Sequence, residues 1–319
     1  MGVTSSVLRQ VGNVLITLLV VSALVFLALQ LVPGDPLDIL IQGRGNRDPA
    51  AVAAVTEKYG LDQPLWVQFW NWLTNVVTGD FGYSYRFRSP VSELIVSRLP
   101  TTIGLVAYSM ALIAIVGVAV GVYSAVKAGR TIDRALVIVV TAVAAVPAFV
   151  AGVVLISAFS VGLGWFPTFG MGSGFFDAVW HLTLPAIALA IGAIALVARV
   201  VRVAMIEQLG KEHVEVALSR GVPFRTVVGR HAFRNSLGPI TTILGTLLAA
   251  LFVGSSVVEQ LFGLNGVGSL LVQAINGSDF PVVQAIVLIV VVAFVVTNAI
   301  VDSLQPLIDP RSAAGRSAR

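Results

Sequence analysis

The sequence predicts an all-α integral membrane protein with six transmembrane helices and an extracytoplasmic helical insertion between helices 1 and 2. Composition is the first reason: 57% of the 319 residues are hydrophobic and 11% are charged, with a mean hydropathy of +0.93. About 25% charged residues is usual in soluble domains. The second reason is the pattern, because six long apolar runs are separated by short polar segments and one long one.

The first apolar run covers residues 11–32. As a helix it extends about 33 Å, enough to cross a hydrocarbon core of about 30 Å. A secretory signal is the alternative, but such a signal has an apolar core of ~7–15 residues and ends in small residues. Here the segment 33–36, Pro-Gly-Asp-Pro, follows. Residues 1–32 are therefore predicted to form the N-terminus and the first spanning helix.

Residues 33–99 form the long polar segment and are predicted to be the extracytoplasmic insertion. The segment holds six Lys or Arg and seven Asp or Glu. Two stretches with helical spacing of apolar residues predict two or three short helices outside the bilayer: Val52, Val55 and Tyr59, then Trp66, Trp70, Leu73 and Val77. For Trp66, Trp70 and Trp72, a belt of aromatic side chains at the membrane surface is favoured over ligand stacking.

Five further apolar runs complete the six spans, and residues 100–319 are predicted to form the core domain. The runs are 101–126, 135–160, 180–205, 237–262 and 281–305. Lys and Arg are enriched in cytoplasmic loops. With a cytoplasmic N-terminus, fourteen of the 20 Lys and Arg lie inside and six outside, all six in the insertion. Both termini and the charged stretch at 211–236 are therefore predicted to be cytoplasmic, where ATP is.

No catalytic or nucleotide-binding motif is found in the sequence. The histidines, His181, His213 and His231, are far apart in sequence and the chain has no cysteine, so a metal site is not predicted. The stretch 210–212, Gly-Lys-Glu, lacks the Ser or Thr and the upstream glycine of a phosphate loop. The net charge is +4, but the basic residues lie between apolar runs, and no polar domain presents them to nucleic acid. The chain is predicted to be non-catalytic, to hold no cofactor, and to be energised by a partner or an ion gradient.

Two residues are candidates for a kink or gate. Pro147, in the middle of the third run, removes one backbone hydrogen bond and bends a helix, which serves either gating or packing. Glu259 lies near the outer end of the fifth run, in a segment, 257–271, that is predicted either to gate the pathway or to cap the bundle. The few charged residues in the runs lie near enough to an end to reach headgroups, so a proton-relay carrier is less favoured.

The stretch 211–240 is a charged island in this apolar chain. Val214, Ala217, Leu218 and Gly221 recur at i, i+3, i+4 and i+7, which predicts one face of a short helix at about 211–222. Gly221 favours the left-handed conformation that ends helices, and a proline follows two residues later. Because a helix of about ten residues is marginal alone in water, a partner surface is expected, and the small apolar face suits insertion into a groove.

This stretch resembles the coupling loop of ABC-importer permeases. Glu215-x-Ala217 followed by Gly221, and then R-H-A-F-R-N-S-L-G-P at 230–239, is similar to the E-A-A-x-x-x-G loop of the dipeptide, oligopeptide and nickel branch. Val216 replaces the middle alanine. Further segments resemble the same branch, so that the resemblance covers nearly the whole chain: 60–65, 79–84, 99–101, 257–271 and 279–281.

The resemblance implies a type I ABC importer permease, the first (dipeptide permease B-like) of two homologous permeases in a bacterial cell membrane. In that family the short helix docks into a cleft of an ATPase, which assigns docking to Val214, Glu215, Ala217, Leu218, Arg220 and Gly221. The implied partners are a second permease, two ATPase subunits or one fused ATPase that bind ATP and magnesium, an extracytoplasmic substrate-binding protein and membrane lipid.

Di- and oligopeptides are the substrates that the resemblance implies, with nickel, glutathione or haem as alternatives. Two other classes of protein stay open at this point. A gradient-driven carrier or channel would transport without an ATPase, and a scaffold protein would bind partners without moving a solute.

Overall fold

The computed structural model describes residues 3–30, 62–84 and 86–308. Within these residues the chain folds into ten helices and one short hairpin. The helices are α1 (Val3–Gln30), α2 (Leu65–Val77), α3 (Val91–Val126), α4 (Thr131–Ala144), α5 (Ala148–Gly162), α6 (Phe175–Leu209), α7 (Glu212–Ser219), α8 (Phe224–Leu261), α9 (Val267–Asn276) and α10 (Phe280–Ile308). The strands are β1 (Tyr83–Ser84) and β2 (Ser89–Pro90).

The described residues divide into two compact units. The first contains the residues up to Pro100 together with Ser269–Val295, and the second contains Thr101–Gly268 and the residues from Val296 onward. The domain division predicted from the sequence, at 32 and 99, stays a prediction.

Aromatic side chains join α1 to α2 in the first unit. The ring of Phe26 lies 5.6 Å from that of Phe69 and 5.9 Å from that of Trp72, measured between centroids. Trp66 and Trp70 are exposed on the other side of α2. The helix predicted from the second stretch of the insertion is therefore confirmed, whereas the first stretch, at 52–59, lies outside the described residues.

The hairpin of the first unit is held by a buried carboxylate. Asp279, just before α10, accepts a 2.5 Å hydrogen bond from the Ser84 hydroxyl and a 3.4 Å bond from the Arg86 backbone N–H. The Arg86 guanidinium donates to the carbonyl oxygen of Gln273 in α9, at 2.9 Å. These bonds fix β1 and the turn after it against the segment that joins α9 to α10.

Helix α6 is the centre of the second unit, and α3, α4, α5 and α8 all pack against it. Small residues on α3 allow the closest approach. A Cβ atom added at Gly121 would lie 2.6 Å from the Ala198 carbonyl oxygen and 2.6 Å from the Val201 Cβ, and one at Gly117 would lie 3.0 Å from Val197. The Gly-x-x-x-Gly pair thus serves helix packing, as such pairs do between spanning helices.

Four described helices, α3, α6, α8 and α10, are long and apolar enough to cross a membrane, and α4 with α5 adds a fifth if the bent pair is one span. The described apolar part of α1, Val14–Leu27, is shorter than this criterion, so the sixth span stays a prediction. The third run is not one kinked helix as predicted. It breaks at Pro147 with a bend of 97°, because this proline adopts an extended conformation (φ −60°, ψ 142°) and begins a new helix.

Candidate functional site

The first part of the charged stretch folds into α7, a helix of eight residues between the long helices α6 and α8. Lys211 precedes it in an extended conformation, and Glu212 and Glu215 lie in its first turn, where carboxylates suit the helix dipole. No side chain caps its N-terminus. The Lys211 ammonium instead pairs with Glu207 of α6 at 3.1 Å, which links the start of α7 to the end of α6.

Gly221 ends α7, as the sequence predicts. Its φ is +77°, and the backbone N–H of Val222 donates to the Ala217 carbonyl at 3.1 Å while the N–H of Gly221 donates to the Leu218 carbonyl at 3.0 Å. This pair of bonds is a Schellman motif, which requires a left-handed residue at the position of Gly221. A Cβ atom there would meet nothing within 4 Å. Only the backbone conformation therefore restricts this position to glycine and residues such as asparagine.

The small side chains of α7 face the rest of the chain. Val214 and Ala217 are buried against Val227 in the first turns of α8, with Val222 beside them. The sequence-based hypothesis placed Val214 and Ala217 on the face that enters a partner's groove, but the turn at 220–223 folds α8 back against that face. These two residues therefore support α7 from inside the chain, and the docking role predicted for them stays a prediction.

The outer face of α7 carries the exposed residues of the predicted docking set: Glu215, Leu218, Arg220 and Gly221. Two further apolar side chains join Leu218 on the surface. Leu218 is 42% exposed, Val216 is 40% exposed and Phe224, the first residue of α8, is 48% exposed. The docking set predicted from the sequence did not include Val216 or Phe224. Val216 could have been found, because an apolar residue on the opposite side from the apolar face indicates that both sides of the helix are covered.

One histidine of α7 lies near a histidine of α8. The rings of His213 on α7 and His231 on α8 lie 6.5 Å apart between centroids, although eighteen residues separate them in the sequence. Among the described residues, no group of three potential metal ligands occurs. The pair adds a second contact between α7 and the start of α8.

An ion pair with a buried carboxylate joins α4 to α6. Arg202 donates from Nε to Asp133 Oδ1 at 2.8 Å and from its terminal nitrogen to Asp133 Oδ2 at 2.7 Å. The same carboxylate accepts bonds from the Ser124 hydroxyl at 2.5 Å and the Gly129 N–H at 2.9 Å. This arrangement, the Asp133 junction, joins the end of α3, the α3–α4 turn, the start of α4 and α6.

A second buried carboxylate lies at the other end of α8. Glu259 is fully buried and accepts a 2.7 Å hydrogen bond from the Thr102 hydroxyl, which in turn accepts the N–H of Val267 at 2.8 Å. Gly266 packs so closely on the carboxylate that a Cβ atom there would collide with it. The expectation that Glu259 reaches lipid headgroups is therefore wrong. We call this arrangement the Glu259 junction; the gating role predicted for Glu259 and Pro147 stays a prediction.

The two junctions contact the same helix at two widely separated positions. Thr102 and Ser124 both belong to α3 and are 22 residues apart, or about 33 Å at 1.5 Å per residue. That distance matches the thickness of a hydrocarbon core. The Asp133 junction lies at the end of the bundle from which α7 projects.

Comparison with known proteins identifies this architecture. Residues 117–313 match the family described as binding-protein-dependent transport system inner membrane component. The chain belongs to this family. Residues 4–106 match the family's N-terminal model, binding-protein-dependent transport system membrane component, so both models together cover nearly the whole permease.

Curated relatives match this permease over nearly its full length. The glutathione transport system permease protein GsiC of Salmonella typhimurium is 38% identical over 305 residues, which is 95% of this chain and 97% of the relative. A protein of Brucella abortus, described as a candidate permease of a peptide transport system, is 39% identical over 311 residues, which is 97% of this chain and 98% of the relative.

A solved structure shares the fold. The inward-facing MetNI methionine ABC transporter contains a chain that matches with a TM-score of 0.57 and 18% identity, covering 67% of this permease and 96% of that chain. The predicted type I importer fold is thus confirmed. The protein is a permease subunit of an ABC importer, a multi-pass inner membrane component of a family that works with ATPases and substrate-binding proteins. Its relatives are permease subunits, which agrees with a non-catalytic role.

Proposed function

We propose that this permease imports di- and oligopeptides and that α7 couples the transport to ATP hydrolysis on partner ATPase subunits. The observation that supports coupling is the two-sided construction of α7. Its inner face, Val214 and Ala217, packs on α8, and its outer face carries the exposed apolar side chains of Val216, Leu218 and Phe224. Exposed apolar residues on a charged loop favour a protein partner.

Force applied to α7 would reach four long helices. The Lys211–Glu207 pair and the short connection link α7 to α6, and the buried contact with Val227 links it to α8. From α6, the Arg202–Asp133 bonds continue to α3 and α4. Closure of the ATPases would therefore move the ends of these helices together and alternate the pathway between outward-open and inward-open states.

The proposed assembly contains a second homologous permease, two ATPase subunits or one fused ATPase, and an extracytoplasmic substrate-binding protein. ATP and magnesium would be bound by the ATPases. Both termini of the permease and α7 would lie in the cytoplasm of a bacterial cell. Within the proposed docking surface, Leu218, Val216 and Phe224 enter the cleft, Glu215 and Arg220 make polar contacts at its rim, and Gly221 forms the turn.

The substrate proposal depends on the relatives that match over the whole chain, which are named for glutathione and peptide transport. Glutathione is itself a tripeptide, so one pathway for short peptides would accommodate both kinds of substrate. Uptake of a radiolabelled dipeptide, tripeptide and glutathione into cells that contain or lack the gene tests this directly. Gene-dependent uptake of nickel or haem alone would contradict the peptide proposal while leaving the coupling proposal intact.

Substitution of Gly221 tests coupling. Gly221→Asp places a carboxylate in the docking surface, whereas Gly221→Asn has nearly the same shape and tolerates the left-handed conformation. We expect Gly221→Asp to insert into the membrane normally, to lose most ATP-dependent uptake in proteoliposomes and to lose ATPase copurification. Gly221→Asn should retain most of both. Equal uptake by the two variants would contradict docking at this turn, and uptake without any ATPase would favour a gradient-driven carrier.

A further inference from the structure

The third apolar run is interrupted near its middle. Helix α4 ends at Ala144 and α5 begins at Ala148, with a bend of 97° between them. The break starts ten residues into the run 135–160, which is about 15 Å along α4 and half the thickness of a hydrocarbon core. Non-helical backbone at this depth occurs only where protein covers it or where it lines a water-filled cavity.

The break presents backbone carbonyl groups that lack a donor. The two residues after α4 donate their N–H groups backward into the helix, at 3.3 and 3.1 Å, and Pro147 has no N–H. In the part of the chain that the structure describes, no hydrogen bond reaches the carbonyl oxygens of Ala144, Ala145 and Val146. Ala144, Ala145 and Pro147 are exposed. These oxygens, at the negative end of the helix dipole, therefore need a donor from outside the chain.

A positive charge lies near these carbonyl groups. Arg199 of α6 donates a 3.3 Å hydrogen bond to the Thr141 hydroxyl. Thr141 precedes Ala145 by four residues, or about 6 Å along α4. Arg199 is exposed, and no carboxylate within the described ranges pairs with it. The break thus combines an uncompensated guanidinium with carbonyl oxygens of negative partial charge.

The Arg199 side chain extends toward the break. On α6, Arg199 and Arg202 are three residues apart, or about 4.5 Å. Their partners on α4, Thr141 and Asp133, are eight residues apart, or about 12 Å. The guanidinium of Arg199 is therefore directed away from the Asp133 junction and deeper into the membrane. A charge at such depth is costly in hydrocarbon, and charged residues in spans mark substrate pathways.

A cleft of about 280 Å³ lies beside these polar groups, between α3, α4 and α6. Arg199 and Thr141 line its deep end, and aliphatic side chains such as Val120, Leu136 and Val140 form much of the remaining wall. Sites for small molecules are mostly apolar, with a few polar groups that fix the orientation of the ligand. Here the aliphatic wall accommodates side chains of different shape, and the guanidinium orients the ligand.

We infer that the break in the third run is a binding site for the charged termini of a short peptide. The peptide carboxylate binds the Arg199 guanidinium, and the peptide ammonium binds the carbonyl oxygens at the end of α4. The separation of about 6 Å between Thr141 and Ala145 suits a dipeptide, because two extended residues reach at most ~7 Å. The inference rests on the proposed peptide substrate and adds the residues that hold it.

Cysteine labelling tests whether the break is hydrated. The chain has no cysteine, so Ala145→Cys places one thiol of this subunit at the break, and Val139→Cys places one on an exposed position of the opposite side of α4. The complete transporter is reconstituted in nanodiscs and treated with a charged methanethiosulfonate reagent. Ala145→Cys should react about ten times faster or more, because the thiolate is the nucleophile and forms in water rather than in hydrocarbon. Equal rates would overturn the inference.

Protection by peptides tests whether the hydrated break binds them. Dialanine should slow the modification of Ala145→Cys, and dialanine amide, which lacks the carboxylate, should need about tenfold higher concentration for the same protection. Arg199→Gln in the same protein should abolish this difference. Arg134→Gln, which changes an exposed arginine outside the cleft, should preserve it. Equal protection by the two peptides, or protection by neither, contradicts the site.

The uptake assays separate this inference from the proposed function. Gene-dependent peptide uptake without protection at the break would exclude the site and leave the peptide substrate intact. Gene-dependent uptake of nickel or haem alone would contradict the peptide substrate and with it the site.

Discussion

Two buried carboxylates accept hydrogen bonds from α3, one from Ser124 and one from Thr102, and they are held in different ways. At the end near α7, the Asp133 carboxylate accepts two hydrogen bonds from the Arg202 guanidinium. It also accepts one from the Ser124 hydroxyl and one from the Gly129 backbone N–H. At the other junction, the Glu259 carboxylate accepts a hydrogen bond from the Thr102 hydroxyl, and Gly266 packs against it. Removal of one partner of a buried ion pair costs ~3–5 kcal/mol, whereas a hydrogen bond to a charged group contributes ~1.5–3 kcal/mol.

From this difference we expect the helix ends near α7 to move as one body. At the Asp133 junction, α3, α4 and α6 cannot separate without leaving a buried charge behind, so they would follow a displacement of α7 together. At the Glu259 junction, separation of α3 from α8 breaks the hydrogen bond from the Thr102 hydroxyl to the Glu259 carboxylate. We expect the helix ends at the Asp133 junction to transmit force and those at the Glu259 junction to rearrange during transport.

The largest expected effect is that of Asp133→Ala. It leaves the Arg202 guanidinium without its carboxylate and should destabilise the permease by about 3 kcal/mol. Thermal unfolding of the purified complex, followed by intrinsic tryptophan fluorescence, should show a lower midpoint. Glu207→Ala is the matched control, because it removes an exposed i, i+4 pair with Lys211 that contributes ~0.3–0.5 kcal/mol. Equal midpoints for the two variants would show that the Arg202–Asp133 bonds stabilise the permease no more than an exposed ion pair does.

A smaller effect is expected at the Glu259 junction. Thr102→Val removes the hydroxyl that serves both the Glu259 carboxylate and the Val267 N–H, and it should destabilise the fold by about 2 kcal/mol. Thr102→Ser keeps the hydroxyl, and its destabilisation should be less than half of that of Thr102→Val. If Thr102→Val lowers the unfolding midpoint more than Asp133→Ala, then the ranking of the two junctions is reversed and the proposed direction of force transmission is contradicted.

Gly266→Ala should also destabilise the Glu259 junction, because the added methyl collides with the Glu259 carboxylate, which can move away only by weakening its bond from Thr102. We expect a loss of ~1–2 kcal/mol, within the range for overpacked sites. Gly229→Ala, at a helical position where a Cβ atom meets nothing within 4 Å, is the control and should be neutral or slightly stabilising. Assays of uptake and of unfolding on the same samples separate an effect on gating from one on stability.

The elements of this fold were largely predictable from sequence, and the contacts between them were not. Apolar runs long enough to span a bilayer identified the helices, and the glycine and proline after Ser219 identified the end of α7, since both are local signals. The break at Pro147 was predicted only as a kink, because the proline's ψ depends on packing.

The orientation of α7 and the two junctions depend on distant residues. Val214 and Ala217 were expected to face a partner, but α8 folds back to cover them. Arg202 is 69 residues from Asp133, and Glu259 is 157 residues from Thr102. Taken alone in the sequence, Asp133, Arg202 and Glu259 are ordinary charges near the ends of apolar runs, and Thr102 is an ordinary hydroxyl residue. Only the packing of α3, α4 and α8 against α6 shows which of them meet.

The most direct test of the account is a crosslink from the outer face of α7. The chain contains no cysteine, so Leu218→Cys introduces the only thiol of this subunit, and Val214→Cys gives a matched thiol on the buried face. In the assembled transporter, a short bifunctional thiol reagent should join Leu218→Cys, and not Val214→Cys, to a cysteine placed in the ATPase cleft. Labelling of Leu218→Cys in intact cells by a membrane-impermeant reagent would place α7 outside and contradict ATP-driven coupling through it.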